Sequence, residues 1–130
     1  MLNIAVLVSG GGTNLQALLD SEARGENPNG KITLVVASKP GVFALERAAK
    51  AGVEGCVVRR KDYAASEEFD AALLETLRAH NIDLVVLAGF LSVLGPSVIA
   101  APTAPYFIAL CAYSNSANPL TIITFVYNWL

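Results

Sequence analysis

Three consecutive glycines, Gly10-Gly11-Gly12, separate a short apolar run from a segment whose apolar residues have helical spacing. Glycine has no β-carbon, so the backbone of such a turn can approach a ligand closely. At the start of a helix, free N–H groups and the helix dipole favour an anion, typically a phosphate. The turn is therefore a candidate phosphate site. The alternative is a turn needed only for tight packing of strand against helix.

The sequence does not favour a nucleotide, dinucleotide or metal site of a known pattern. No Lys-Ser/Thr pair follows the glycines, which excludes a Walker A loop. Gly10 and Gly12 fit the start of G-x-G-x-x-G, but Leu15 stands at its last position, so a dinucleotide site is not supported. The two cysteines and the single histidine, His80, lack the spacing of a zinc site or a disulfide framework. We therefore expect no metal.

Four apolar runs alternate with three helical segments. The predicted strands are 3–8, 32–37, 55–58 and 82–88, and the predicted helices begin at Thr13 or Asn14 (either one as N-cap), at Phe43, and at Ser66 as N-cap. This alternation predicts an α/β fold, an open and mostly parallel Rossmann-like sheet with right-handed crossovers. Ligands bind beyond the carboxyl ends of the strands in such sheets, where residues 9–14 and 89–94 lie.

Charge is confined to one part of the chain. All nine Lys and Arg, all eleven Asp and Glu and the histidine lie within residues 1–83, and the remaining 47 residues carry none. The net charge of −2 and pI near 5.3 offer no basic field for nucleic acid or an acidic membrane surface. The uncharged apolar runs at 106–113 and 120–130 are shorter than the ~20 residues that a membrane helix needs. The first residues lack a basic n-region, so we expect a cytoplasmic protein without a membrane partner.

Three stretches together resemble one family. They are Val6–Leu18 (VLVSGGGTNLQAL), Ala37-Ser38-Lys39 with Ala44–Ala48 (ALERA), and Asp83–Leu91 (DLVVLAGFL). In this order and separation they are similar to glycinamide ribonucleotide formyltransferases. The similarity covers about residues 1–101, which would form the N-terminal part of a formyltransferase domain. Residues 102–130 are left as an unassigned uncharged tail, for which a frame change or a truncated gene is the expectation.

The resemblance implies transfer of a formyl group from 10-formyltetrahydrofolate to the amine of glycinamide ribonucleotide. It implies that the loop at Gly12, Thr13 and Asn14 holds the ribonucleotide phosphate. It also implies that the segment at 91–94 lines the pterin pocket and that Ser66 stands where many members have a folate-binding arginine. Composition alone equally allows a buried helix start at 91–94, and for Ser66 it favours a helix cap. The implied folate-binding residues are Leu91, Ser92, Val93, Leu94 and Ser66.

The resemblance assigns no catalytic residue to this chain. Family members carry an Asn-x-His-Pro-Ser motif and a later Asp, and an ungapped continuation puts Ile108 and Leu110 at the Asn and His positions. Neither side chain can hydrogen-bond or exchange a proton. We therefore expect the chain not to catalyse the transfer. A non-catalytic phosphate-sugar binding module and another folate-dependent formyltransferase or deformylase remain alternatives.

Four predicted strands leave one edge of the sheet open. The apolar fourth strand would lie at that edge with its outer backbone groups unpaired. We therefore expect residues 1–130 to be insoluble or poorly folded, and removal of 102–130 to improve solubility.

Overall fold

A computed structural model describes residues 2–26 and 28–88 and the backbone of 107–111. In chain order the elements are β1 (Leu2–Val8), α1 (Thr13–Ala23), β2 (Gly30–Ala37), α2 (Phe43–Lys50), β3 (Glu54–Val57), a 3₁₀ turn (Arg60–Asp62), α3 (Ser66–Ala79), β4 (Leu84–Ala88) and β5 (Phe107–Cys111). The strands form one sheet in the order β3-β2-β1-β4-β5. Every adjacent pair is parallel, which confirms the predicted α/β fold.

The central strands are apolar along their length because both faces of the sheet are covered. On β1, Val6 and Val8 belong to the core on the side of α1 and α2. Ala5 and Leu7 belong to the core on the side of α3. A strand buried on both faces loses the alternation of polar and apolar residues, and the near-continuous run at the start of the chain follows from this.

The starts of α1 and α3 differ from the prediction. The N-cap of α1 is Gly12, with a left-handed φ of 79°, and no side chain caps this helix. A β-carbon at Gly12 would lie 2.7 Å from the Ala44 Cβ, so packing against α2 leaves no room for a capping side chain there. The N-cap of α3 is Ala65, which makes Ser66 the first helical residue. The predicted caps at Thr13 or Asn14 and at Ser66 are therefore wrong.

The outer edge of β4 is paired, so the expectation of an open edge is wrong. Strand β5 lies parallel to β4, in register from Leu84 opposite Phe107 to Ala88 opposite Cys111. Uncharged β-branched and aromatic residues suggest aggregation when considered alone, but the same composition suits a strand of a parallel sheet. In the strand order the uncharged β5 takes the outer position in place of β4, so the expected insolubility of the chain stays a prediction.

Helix α3 covers one face of the sheet with an apolar stripe. Phe69, Leu73 and Leu77 are fully buried, whereas Leu74 is only partly buried, and Asp70 is buried beside them. With 14 residues α3 is the longest helix in the described part of the chain. No helix of that part has the length and apolar character needed to cross a membrane.

Candidate functional site

The glycine loop, Ser9–Gly12, connects the end of β1 to the start of α1. The first helical turn closes with a 2.8 Å hydrogen bond from the Gln16 N–H to the Gly12 carbonyl. No side chain caps this turn, and it contains no acidic residue. The first N–H groups of a helix have no partner within it, and the helix dipole adds positive potential at this end. The start of α1 can therefore receive an anion.

The side chain of Asn14 adds a polar atom without a partner. Its Oδ1 is buried and accepts no hydrogen bond from the residues that the structure describes. An unsatisfied buried polar atom costs about 1–3 kcal/mol, which makes such atoms rare. The two ends of a carboxamide can exchange places, so Asn14 can present either an acceptor or a donor here. Because this oxygen is itself buried, a ligand with hydroxyl or phosphate groups would satisfy it only after rotation of the side chain.

Gly12 has a different role from its two neighbours. At φ 79° an L side chain is strained, and a β-carbon would lie 2.7 Å from the Cβ and 2.9 Å from the Cα of Ala44. A β-carbon on Gly10 or Gly11 would meet nothing within 4 Å, and neither residue has a positive φ. Tight packing therefore explains Gly12, whereas packing in the described structure does not require Gly10 or Gly11.

Arg47 of α2 holds the glycine loop from the side. Its Nε donates to the Gly11 carbonyl at 2.8 Å, and its Nη1 donates to Gln16 Oε1 at 3.2 Å. The guanidinium carbon lies 4.6 Å from the centre of the Phe43 ring. Sequence reasoning did not assign this role to Arg47. Its only signal was its place in the second stretch of resemblance.

Two serines join neighbouring strand ends next to the loop. Ser38, which follows β2, donates from its Oγ to Ser9 Oγ at 2.8 Å, and both residues are buried. The Ser38 N–H also donates to the Val8 carbonyl at 3.0 Å. The same edge holds a pocket of about 400 Å³. Its lining residues are Ser9, Ser38, Lys39, Pro40, Arg59, Arg60 and Lys61.

A family model described as formyl transferase matches residues 2–109 of the 130. The chain belongs to the formyl transferase family. It is 44% identical over 96 residues to the human trifunctional purine biosynthetic protein adenosine-3, covering 73% of this chain and 9% of that protein. It is 40% identical over 96 residues to the phosphoribosylglycinamide formyltransferase of Haemophilus influenzae, covering 74% of this chain and 45% of that protein.

Solved structures agree with this assignment. Glycinamide ribonucleotide transformylase 1 of Geobacillus kaustophilus matches with a TM-score of 0.78 and 35% identity, over 88% of this chain and 59% of that one. The corresponding protein of Symbiobacterium toebii matches with a TM-score of 0.76 and 35% identity, over 89% of this chain and 54% of that one. The chain thus spans about half the length of these solved structures and of the Haemophilus influenzae relative. The boundary expected at residue 101 stays a prediction.

The other predicted site residues of this formyl transferase lie apart from the glycine loop or outside the described residues. Ser66 is exposed at the start of α3, and its Oγ is 3.5 Å from Glu67 Oε2. Residues 91–94 are outside the described residues, although β4 ends beside β1. Ile108 and Leu110 lie on β5, opposite Val85 and Leu87 of β4. In the described part, no group of three or more His, Cys, Asp or Glu residues could hold a metal ion.

Proposed function

We propose that the function of this formyl transferase belongs to the transfer of a formyl group to the amine of glycinamide ribonucleotide, and that residues 1–130 supply the binding of that ribonucleotide. The observation that carries the proposal is the uncapped first turn of α1 behind three glycines. The amides of Gly12, Thr13 and Asn14 would donate to the ribonucleotide phosphate. Further support comes from relatives whose names state this substrate, phosphoribosylglycinamide and glycinamide ribonucleotide.

The formyl donor in this proposal is 10-formyltetrahydrofolate. The segment at 91–94 would line the pterin pocket, since it follows β4 at the sheet edge that carries the glycine loop. Ser66 would replace the arginine with which other members contact folate, and its short side chain carries no charge for the folate carboxylates. We propose that neither the binding of the ribonucleotide nor the transfer of the formyl group needs a metal. We also propose that the protein works in the cytoplasm.

The reaction needs more than binding. Formyl transfer passes through a tetrahedral oxyanion, which requires a hydrogen-bond donor, while the attacking amine must lose a proton. An ungapped continuation of the resemblance puts Ile108 and Leu110 at the positions of the family's Asn and His, and neither of these side chains can hydrogen-bond or exchange a proton. We therefore propose that residues 1–130 bind the ribonucleotide without transferring the formyl group. These two positions favour the phosphate-sugar binding module as the second candidate.

Calorimetric titration of glycinamide ribonucleotide into the 130-residue chain tests the binding step. Saturable binding is expected. Gly11→Val should weaken it at least about tenfold, because the new side chain would lie where the ligand approaches an open backbone. The denaturation midpoint should stay unchanged, since the site has space and an ordinary φ. No binding by the parent chain, or equal binding by Gly11→Val, contradicts the assignment of the loop.

An absorbance assay of 10-formyltetrahydrofolate consumption tests the second step. No transfer is expected from the parent chain, and measurable transfer would contradict the binding-only proposal. Calorimetric titration of a panel of amine acceptors tests the choice of substrate. Tighter binding of an amine without a ribose phosphate would favour another folate-dependent formyltransferase or a deformylase.

A further inference from the structure

A strongly basic pocket lies beyond the ends of β1, β2 and β3. We call the pocket lined by Ser9, Ser38, Lys39, Pro40, Arg59, Arg60 and Lys61 the basic pocket. Four of the nine Lys and Arg residues of the chain line it, and no acidic residue does. Open α/β sheets bind ligands at this edge. A protein with a net charge of −2 thus concentrates positive charge at one ligand-binding edge.

The charges of the basic pocket are largely unneutralised. Among the described residues, no carboxylate lies within ion-pair distance of Lys39, Arg60 or Lys61. Arg59 Nε is 4.0 Å from Asp62 Oδ1, and both side chains are exposed, so this pair contributes little. Like charges held close together repel one another, and a bound anion removes that repulsion.

The floor of the basic pocket is rigid and polar. Ser9 is 5% exposed and Ser38 is 9% exposed, and the 2.8 Å bond between their hydroxyls fixes the ends of β1 and β2. The Val58 N–H donates to the Ala37 carbonyl at 3.0 Å and fixes the next strand end in turn. Arg60 Nη1 donates to the Tyr63 carbonyl at 2.9 Å, which orients the guanidinium. The strand ends next to the basic side chains are therefore held in fixed positions.

We propose that the basic pocket is a second anion site, which binds a compact polyanion with two or more phosphate or carboxylate groups. Guanidinium and ammonium groups around one volume of about 400 Å³ form charge-assisted hydrogen bonds with either group. The site shares only Ser9 with the glycine loop. It does not depend on the ribonucleotide function proposed above, because its cations come from the segments after β2 and β3.

Calorimetric titration of pyrophosphate into the 130-residue chain at low salt tests this site. Saturable binding is expected, and Arg60→Gln with Lys61→Gln should weaken it at least about tenfold. The control pair Lys31→Gln with Lys50→Gln removes the same charge from positions outside the pocket and should change the affinity less than about twofold. Gly11→Val should leave pyrophosphate binding at the basic pocket intact.

Three results would overturn the proposal. They are no pyrophosphate binding by the parent chain, equal weakening by the two charge-removing pairs, and loss of binding in Gly11→Val alone. Absence of binding would show that the pocket is no anion site. Equal weakening by the two pairs would show a general effect of charge, and loss of binding in Gly11→Val alone would place the pyrophosphate at the glycine loop. The tricarboxylate tricarballylate, titrated in parallel, distinguishes the two ligand sources. Tighter pyrophosphate binding supports a phosphate ligand and tighter tricarballylate binding supports a carboxylate ligand.

Discussion

Arg47 Nε donates a 2.8 Å hydrogen bond to the carbonyl of Gly11, which lies 36 residues earlier in the chain. The same guanidinium donates to Gln16 in the first turns of α1. Arg47 therefore joins α2 both to the glycine loop and to the helix that this loop opens. The conformation of the proposed phosphate site depends in this way on a helix that does not belong to it.

Replacement of Arg47 by Met should loosen the loop. Loss of two hydrogen bonds should lower the free energy of unfolding by about 1–2 kcal/mol and the ribonucleotide affinity by about tenfold. Urea denaturation and calorimetric titration measure the two effects. Lys50→Met is the matched control, because Lys50 also lies over the Phe43 ring, at 5.7 Å. Unchanged ribonucleotide affinity in Arg47→Met would show that the loop holds its shape alone.

Gly12→Ala should destabilise the protein by about 1–3 kcal/mol from its left-handed φ alone. The contact of 2.7 Å with the Ala44 Cβ adds a steric cost. Gly11→Ala is the control and should change stability by about 0.5 kcal/mol or less, since its site is open. Urea denaturation compares the two variants. Equal loss of stability in both would contradict the packing role of Gly12.

The sequence predicted the features of the sheet that depend on local pattern. β1 and the glycine loop followed from an apolar run and a glycine turn, and the order of elements followed from alternation. The cap of α1 could not be predicted, because Ala44 of another helix decides which residue fits at position 12. β5 could not be predicted either, since its residues show no period and only pairing with β4 defines it.

The basic pocket was missed for a related reason. Lys39 and Arg60 lie in different loops, and only the neighbouring positions of β2 and β3 in the sheet bring these loops together. Strand order is a tertiary property that periodicity does not encode. Of the predicted site, the loop at Gly12, Thr13 and Asn14 has a geometry suited to an anion, while its phosphate role stays a proposal.

Asn14→Ala should separate stability from binding. The substitution removes a buried oxygen without a partner, so the free energy of unfolding of the free protein should stay equal or rise. Ribonucleotide affinity should fall by about tenfold if Asn14 bonds the ligand. Thermal denaturation and titration measure both quantities. A loss of stability without a loss of affinity would make Asn14 a structural residue.

Thr33→Val is the companion variant. Thr33 lies where the register between β1 and β2 shifts, and its Oγ1 is the other buried oxygen without a partner in the described structure. Removal of that hydroxyl by a residue of similar shape should raise stability by about 1 kcal/mol. Ribonucleotide affinity should not change. A decrease in stability would mean that the hydroxyl has a partner in solution.

His80 should make stability depend on pH. Its Nδ1 is 2.8 Å from the Thr76 carbonyl and its Nε2 is 3.2 Å from Glu54 Oε1, so it is paired rather than simply solvated. The bond to Thr76, and then Glu54, raise the pKa of His80 above the ordinary 6.5. The stabilisation that His80 gives to the folded state is therefore complete below pH 6.5, and it is lost as the pH rises through the pKa of His80 in the folded protein.

The corresponding measurement compares the parent chain with His80→Gln by urea denaturation between about pH 5.5 and 8.5. The difference in free energy of unfolding between the parent chain and His80→Gln should shrink as the pH rises. Glu54→Gln should show a weaker form of the same trend, because the larger cause, the bond to Thr76, remains. An advantage that grows with pH would contradict a raised pKa.

The pairing of β5 with β4 reverses the effect expected from removing the tail. A chain that ends at residue 106 lacks β5, which leaves the backbone groups on the outer edge of the apolar β4 unpaired. A chain that ends at residue 111 keeps β5 and serves as the matched control. We expect the shorter chain to have a lower urea midpoint and to scatter more light at equal concentration. The longer one should behave like the 130-residue chain. Equal or greater stability and solubility of the 106-residue chain would show that β4 does not need this partner.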